Sequence, residues 1–208
     1  MTARGLLIAF EGGDGNGKST QARLLAERID AVLTRQAGGT PLGQRIRSLT
    51  LDSVTEHISD RAEALLYMAD RAEHVDEVIE PALAAGQHVV TDRYAYSSLA
   101  YQGYGRGLNI EELRHISDWA MGGLWPDVVL LVDVPFDVSS ARLAGRNAKM
   151  DHYEASGEAL QQRVLKGYQA LAAADPSRWR HINGLGSIDE VAARVWSVVE
   201  PMLGRDSK

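Results

Sequence analysis

Residues 11–20 read EGGDGNGKST, directly after the apolar run LLIAF. Gly12 and Gly17 bracket four residues and are followed by Lys18 and Ser19, which is the pattern G-x4-G-K-[ST] of a phosphate-binding P-loop. Backbone at Gly12, Gly13, Gly15 and Gly17 can turn its N–H groups inward, where side chains would block an anion. Asp14, Asn16 and Thr20 complete the loop, and a helix beginning here adds its free amides and the positive end of its dipole. Lys18 then reaches the β- and γ-phosphates of a nucleoside triphosphate such as ATP, and the Ser19 hydroxyl takes a place on Mg²⁺.

Further charged groups stand where such a ligand would need them. The run HVVT ends in Asp92 and Arg93, at the carboxyl edge expected of a parallel strand. Asp92 can hold Mg²⁺ through water, and Arg93 offers a two-pronged donor to a second phosphate. Asp133, after LLV, is a rival acid in similar context. Arg142 and Arg146 lie four apart on an expected helix, an unfavourable like-charge pair unless an anion lies between them.

The elements that must carry these groups follow from the apolar pattern. Short apolar runs at 6–11, 31–35, 88–92, 127–134 and 180–183 predict five buried parallel strands. Between them, helical spacing predicts helices at 19–29, 42–50, 60–86, 110–123, from Phe136, through 158–174 and at 187–203. Pro81 is expected to break the long helix and Gly86 to end it, Asn109 to cap its helix, and Ser187 or Asp189 to cap the last one. The stretch from Asp92 to about Gly107 reads as a polar, tyrosine-rich segment. This alternation predicts an α/β fold: a P-loop NTPase with a parallel five-stranded sheet, helices on both faces, and a single domain over 1–208.

Composition narrows the partners. The chain has 208 residues, 45% hydrophobic and 24% charged, with a net charge of −6, which argues against a protein whose main work is gripping nucleic acid. It has no cysteine, so disulfide and thiolate chemistry are excluded. No apolar stretch approaches 18 residues, so no membrane span is expected and the chain reads as cytoplasmic. There is no N-K-x-D guanine motif, and the chain is short for an oligomeric motor ATPase.

Beyond the P-loop, DRYAYSSLAYQG (92–103) resembles the signature segment of the thymidylate kinase family. LLYMADRAEHV (65–75) and TRQAGGTPLGQRIRSLTLD (34–52) are similar to segments of that family, in the same order along nearly the whole chain. The resemblance implies transfer of the γ-phosphoryl group of ATP to dTMP with Mg²⁺, a step of dTTP synthesis, and a homodimer. It implies that Tyr67 stacks on thymine, Arg71 bonds a base oxygen, and Ser97 and Ser98 surround the base. Tyr101 would crowd the sugar 2′-position, Arg93 and Arg35 would approach the acceptor phosphate, and Asp14 would meet the sugar 3′-hydroxyl or the metal. A mobile lid over about 142–154 would bring Arg142 and Arg146 to the transferring phosphate, the bacterial arrangement, since Gly15 stands where other members carry a P-loop arginine. On this reading Lys18, Arg93, Arg142, Arg146 and Asp14 carry catalysis, and Ser19, Asp92 and Asp14 the metal.

Three departures stand out. Gln36-Ala37 replaces Glu-Pro, His152 replaces a lid arginine, and Asn183-Gly184 replaces Asp-Ala. They leave open a kinase for another nucleoside monophosphate, a catalytically weakened nucleotide-binding regulator, and an ATP-dependent ligase of small metabolites.

Overall fold

The structure, a computed structural model, describes residues 4–52, 58–145, 153 and 157–203. Strands β1 (Leu7–Glu11), β2 (Val32–Arg35), β3 (Val89–Asp92), β4 (Val128–Asp133) and β5 (Trp179–Asn183) form one parallel sheet in the order β2-β3-β1-β4-β5. Each lies within a residue of its expected bounds. The chain leaves β1 for one side of the sheet, fills it with β2 and β3, and then crosses to β4 on the other side. A crevice therefore opens beyond the carboxyl end of β1, where open α/β sheets bind their ligands.

The continuous apolar runs exist because both sheet faces are covered. From β1 and β4, Ile8, Phe10, Val128 and Leu130 pack under helices α1 (Lys18–Ile29) and α9 (Ile188–Leu203), against Leu25 and Val195. Leu7 and Ala9 face the opposite way, onto Val75, Ile79, Leu83 and Met121. Val129 and Leu131 face Leu99, Leu113 and the helix α8 (Glu158–Ala174). Fully burying one such Phe, Ile or Leu side chain stabilises the fold by about 1.5–3 kcal/mol.

The remaining helices are α2 (Pro41–Arg47), α3 (Asp60–His74), α4 (Glu80–Ala84), α5 (Ala95–Ser98), α6 (Ile110–Ala120) and α7 (Phe136–Ala144). Asn109 caps α6 by accepting from Glu111 and Glu112 amides, and Ser187 and Glu190 exchange hydrogen bonds as a capping box before α9. The expected long helix changes character one turn before Pro81: residues 75–79 form a widened turn, and Pro81 sits in the first turn of α4, where its missing N–H is harmless. The tyrosine-rich stretch is helical rather than irregular, with α5 running into a widened turn over Leu99–Gly105. Its tyrosines do not show a helical stripe because Tyr94, Tyr96 and Tyr101 are all buried, on different sides of the segment.

Buried His74 joins α3 to β2, its Nε2 2.6 Å from Thr34 Oγ1. Burial, with the nearby Arg71 charge, holds its imidazole down at about 4, so the ring is neutral near pH 7. The Gln36–Ala37 peptide bond in the loop beyond β2 is cis. The expected lid lies outside the described residues except for 142–145 and Tyr153, and Arg146 and His152 lie outside them too.

Candidate active site

The P-loop needs its glycines for two separate reasons. Gly12 and Gly15 have φ of +135° and +77°, and a Cβ on them would lie 2.3 Å from Val132 O and 2.5 Å from Ser139 O. Asn16 Nδ2 donates to Val132 O at 2.8 Å and pins the loop to β4. Lys18 curls back into the loop, where its Nζ donates to Gly13 O at 2.5 Å. Burial and the neighbouring Arg93 charge bring its ammonium down to about 8, against the pull of Asp14, Asp92 and Glu11.

Ser19 Oγ donates to Asp92 Oδ2 at 2.5 Å. Asp133 faces elsewhere, its Oδ2 3.2 Å from Nε2 of exposed His181. Asp92, not its rival, therefore meets the P-loop hydroxyl. The second oxygen, Asp92 Oδ1, is buried with no hydrogen-bond partner. A hydroxyl beside an unpartnered carboxylate oxygen is a donor set suited to a hard cation, so these two residues fit Mg²⁺ carried in with phosphates. Among the described residues no three His, Cys, Asp or Glu side chains cluster as a self-sufficient metal site.

Arg93 follows β3 in the left-handed region at φ 68°, held there by its N–H to Phe10 O at 2.9 Å and by Thr91 Oγ1 donating to its carbonyl at 2.7 Å. A non-glycine residue in that region is strained by about 1–3 kcal/mol, a feature that clusters at functional sites. Its guanidinium reaches in two directions. Nη1 donates to Gly12 O at 3.1 Å and Tyr168 OH at 3.0 Å; Nη2 donates to Asp14 Oδ1 at 2.5 Å and Tyr101 OH at 2.9 Å. Tyr101 OH in turn donates to Asp14 Oδ2 at 2.7 Å. Burial alone would raise the Asp14 carboxyl, but Arg93, with Lys18 and Tyr101, overrides it and holds the group at about 2.

One pocket brings together Tyr67, Arg71, Arg93, Ser97, Ser98 and Tyr101, with Asp14 at its P-loop end. Arg71 is 1% exposed and donates from Nε to Gln36 Oε1, from Nη1 to Met68 Sδ and Ser117 Oγ, and from Nη2 to Ser98 Oγ. Four of its five N–H groups are thus placed by protein, and one on Nη2 remains for a ligand. Ser97 lines the pocket, but its hydroxyl donates to Glu11 Oε2 at 2.6 Å. Arg35 does not enter this pocket; it lines an adjacent hollow with Ser19 and Asp92, on the other side of the metal-side pair. Arg47, reaching in from α2, lines the pocket instead.

A third hollow lies on the far side of the P-loop, lined by Asn16, Gly17, Thr20, Arg142, Gly184 and Ile188. Arg142 Nη2 donates to Gly184 O at 3.0 Å, which draws the end of α7 over the loop.

Sequence reasoning missed several members. Glu11, fully buried at the end of β1, accepts from Tyr94 N, Ser97 N, Ser97 Oγ and Tyr168 OH. Burial raises its carboxyl, and four donors hold the turn that presents Arg93. The one available signal was an acid interrupting an apolar strand just before the glycines. Gln36 also acts differently from expectation: it orients Arg71, not Arg35, and supplies a neutral acceptor where a carboxylate was expected.

A phosphate loop at the switch point of a 2-3-1-4-5 sheet, joined through one arginine to a second polar pocket, defines a P-loop kinase that takes a phosphoryl donor and a separate small acceptor. The sequence model described as Thymidylate kinase matches residues 10–195. A thymidylate kinase of Synechococcus sp. (strain JA-2-3B'a(2-13)) is 50% identical, covering 95% of this chain and 96% of its own. One of Solidesulfovibrio magneticus is 46% identical, covering 95% and 100%. The crystal structure of thymidylate kinase from Ehrlichia chaffeensis superposes with a TM-score of 0.78 at 29% identity, covering 95% of this chain and 99% of that one. The chain belongs to the thymidylate kinase family, and its activity is phosphoryl transfer to dTMP.

Proposed function

We propose that this chain transfers the γ-phosphoryl group of Mg·ATP to the phosphate of dTMP with the residues just described in the following roles. The observation that carries the assignment is Arg93, bonded at once to the P-loop carbonyl of Gly12 and to Asp14 and Tyr101 of the second pocket. ATP lies on Gly12–Thr20 with its base toward Arg142, Gly184 and Ile188, and dTMP lies in the pocket of Tyr67 and Arg71. An oxygen of the dTMP phosphate attacks Pγ, the bond from Pγ to the bridging oxygen breaks, and ADP leaves. The attacking oxygen is already anionic, so no base is required, and positioning and charge do the chemistry.

Lys18 and the loop amides hold the donor phosphates, and Arg93 aligns the acceptor phosphate. Arg142, with Arg146 of the expected lid, covers the transferring group; Arg35, beside Ser19 and Asp92, approaches the same phosphates from the metal side. Ser19 and Asp92 hold Mg²⁺, which neutralises charge on the phosphate oxygens. Tyr67 stacks on thymine, the remaining N–H of Arg71 donates to a base oxygen, and Ser98 lies beside it. Asp14 belongs to the sugar side, since Arg93 and Tyr101 already engage its carboxylate. Tyr101, held by the same contacts, crowds the 2′-position.

ADP release from Mg·ATP, measured with dTMP, dUMP, UMP, dCMP, dGMP and dAMP one at a time, tests the reading. Strong release with dTMP and little with UMP is the expected result. Binding of ATP and dTMP without ADP release would instead favour a nucleotide-binding regulator.

The working unit is a homodimer in the cytoplasm. No helix among the described residues is long and apolar enough to cross a membrane. Helices α3 and α6 pack together through Arg71, Met68 and Ser117, yet expose Leu65 (60%) and Trp119 (84%) to solvent. Large apolar side chains exposed on a paired-helix face are what a second copy would cover. Sedimentation is expected to give twice the chain mass, falling to a single chain in Trp119→Glu. A wild-type monomer at every concentration would remove the dimer.

A further inference from the structure

The pocket wall holds a polar cluster to which no role has been given. Tyr153, 5% exposed, directs its hydroxyl at Glu63 Oε1, and Gln102 Nε2 donates both to that hydroxyl at 2.5 Å and to Glu63 Oε1 at 3.0 Å. Glu63 and Gln102 are 3% and 2% exposed, and Arg106 Nη2 stands 3.7 Å from Glu63 Oε2. Gln102 and Tyr153 both line the pocket that also contains Arg71.

The orientation of this amide is chemically forced. A carboxylate only accepts, so the atom facing Glu63 must be the amide nitrogen. Both amide hydrogens are then taken up, one by Glu63 and one by the Tyr153 oxygen, whose own proton goes to Glu63. Gln102 has only Oε1 left, and among the described residues that oxygen accepts nothing. Burial keeps the Tyr153 phenol well above its usual range, so the hydroxyl remains a donor to Glu63 at any working pH.

We propose that Tyr153 is a positioning residue for acceptor choice: with Glu63 it locks Gln102 so that only a carbonyl oxygen faces the base. The inference rests on the dTMP assignment above. Gln102 lies about one turn beyond Ser98, which Arg71 holds at 2.8 Å. The wall therefore offers an N–H from Arg71 and a carbonyl from Gln102. That pair matches the O4 acceptor and N3–H donor of thymine. It opposes the 4-amino donor and N3 acceptor of cytosine, and a site built to satisfy one such edge leaves buried groups unpaired with the other. Without the tyrosine oxygen one amide hydrogen loses its partner, and the amide can rotate to offer N–H.

The test compares kcat/KM for dTMP with that for 5-methyl-dCMP, which keeps the methyl group and changes the hydrogen-bonding edge. In Tyr153→Phe the preference for dTMP is expected to fall by about tenfold or more, through a rise in KM for dTMP with kcat little changed. Gln102→Leu, which leaves the Tyr153–Glu63 bond in place, is expected to lose the preference as well; it decides the matter if Tyr153→Phe cannot be obtained folded. A preference unchanged in either variant, or a loss of kcat equal for both acceptors, overturns the proposal. A wild-type chain inert toward dTMP sinks the parent reading and this one with it; an active wild type with an unchanged preference sinks only this one.

Discussion

Arg93→Ala lowers kcat by at least about 10³-fold, because one guanidinium serves both substrates. Its removal takes away a cation from the transferring phosphate and also releases the ring of contacts that fixes Tyr101 and Asp14. Folding suffers as well. Asp14, 19% exposed, is held at about 2 against an ordinary 3.8, with Arg93 the strongest favourable influence. A carboxyl depressed on folding contributes stability that is full above the ordinary value and is lost as pH falls through the folded one. The contribution is about 2 kcal/mol at neutral pH, and the variant forfeits most of it. Urea unfolding should show a gap of that size at pH 7 that narrows as pH falls from 4 toward 2. Arg93→Lys separates the two effects: it restores charge beside Asp14, and hence most of the stability, but not the fork that spans Gly12 and Asp14. Its kcat is expected to stay about 10²-fold down. Near-normal kcat in Arg93→Ala with only a raised KM would show that Arg93 merely binds.

The parts of this site that could be read in the sequence are those whose meaning is local. Gly12–Ser19 is contiguous, so spacing alone gave the loop, and the flanking apolar runs gave the strand and helix around it. Tyr67 and Arg71 are four apart on one helix and do share a pocket. What was not legible depends on chain segments far apart. Glu11 reads as the ragged end of a strand until Tyr168, 157 residues on, donates to it. Tyr168 itself falls in the apolar register of Leu160, Val164 and Leu171 and packs there; only its hydroxyl reaches the site. Tyr153 and Gln102 are 51 residues apart, and neither suggests the other. Arg35 and Arg47 illustrate the converse. Arg35 ends β2 and so looked like a ligand of the acceptor, but β2 is the edge strand and turns it into the neighbouring hollow. Arg47 sits in a short helix with no pattern of its own, yet α2 packs so that its Nη1 comes to 3.4 Å from Ala37 O at the pocket wall.

Lys18 supplies the second large effect and the clearest pH dependence. Lys18→Ala is expected to weaken transfer by about 10³-fold, since it deletes the cation nearest the donor phosphates in a site with few competing waters. In the free chain, burial and Arg93 bring the ammonium to about 8, so its charge is present below that pH and lost above it. ATP binds the charged form, and its phosphates favour that form in return. The dissociation constant for Mg·ATP, measured without dTMP, should therefore be flat from pH 6 to 8 and then rise by a factor approaching ten per pH unit. Once ATP is bound the lysine stays protonated, so kcat holds to higher pH than affinity does. Lys18→Arg carries a charge that does not titrate in this range and should lose the alkaline limb while remaining a poor enzyme, because a planar guanidinium cannot make the 2.5 Å contact to Gly13 O within the loop. An affinity that stays level to pH 10 in the wild type, or an alkaline limb shared by Lys18→Arg, would assign the titration to another group. The P-loop lysine would then be a fully charged cation in the free chain, with water reaching it more freely than the tight curl of Gly12–Lys18 allows.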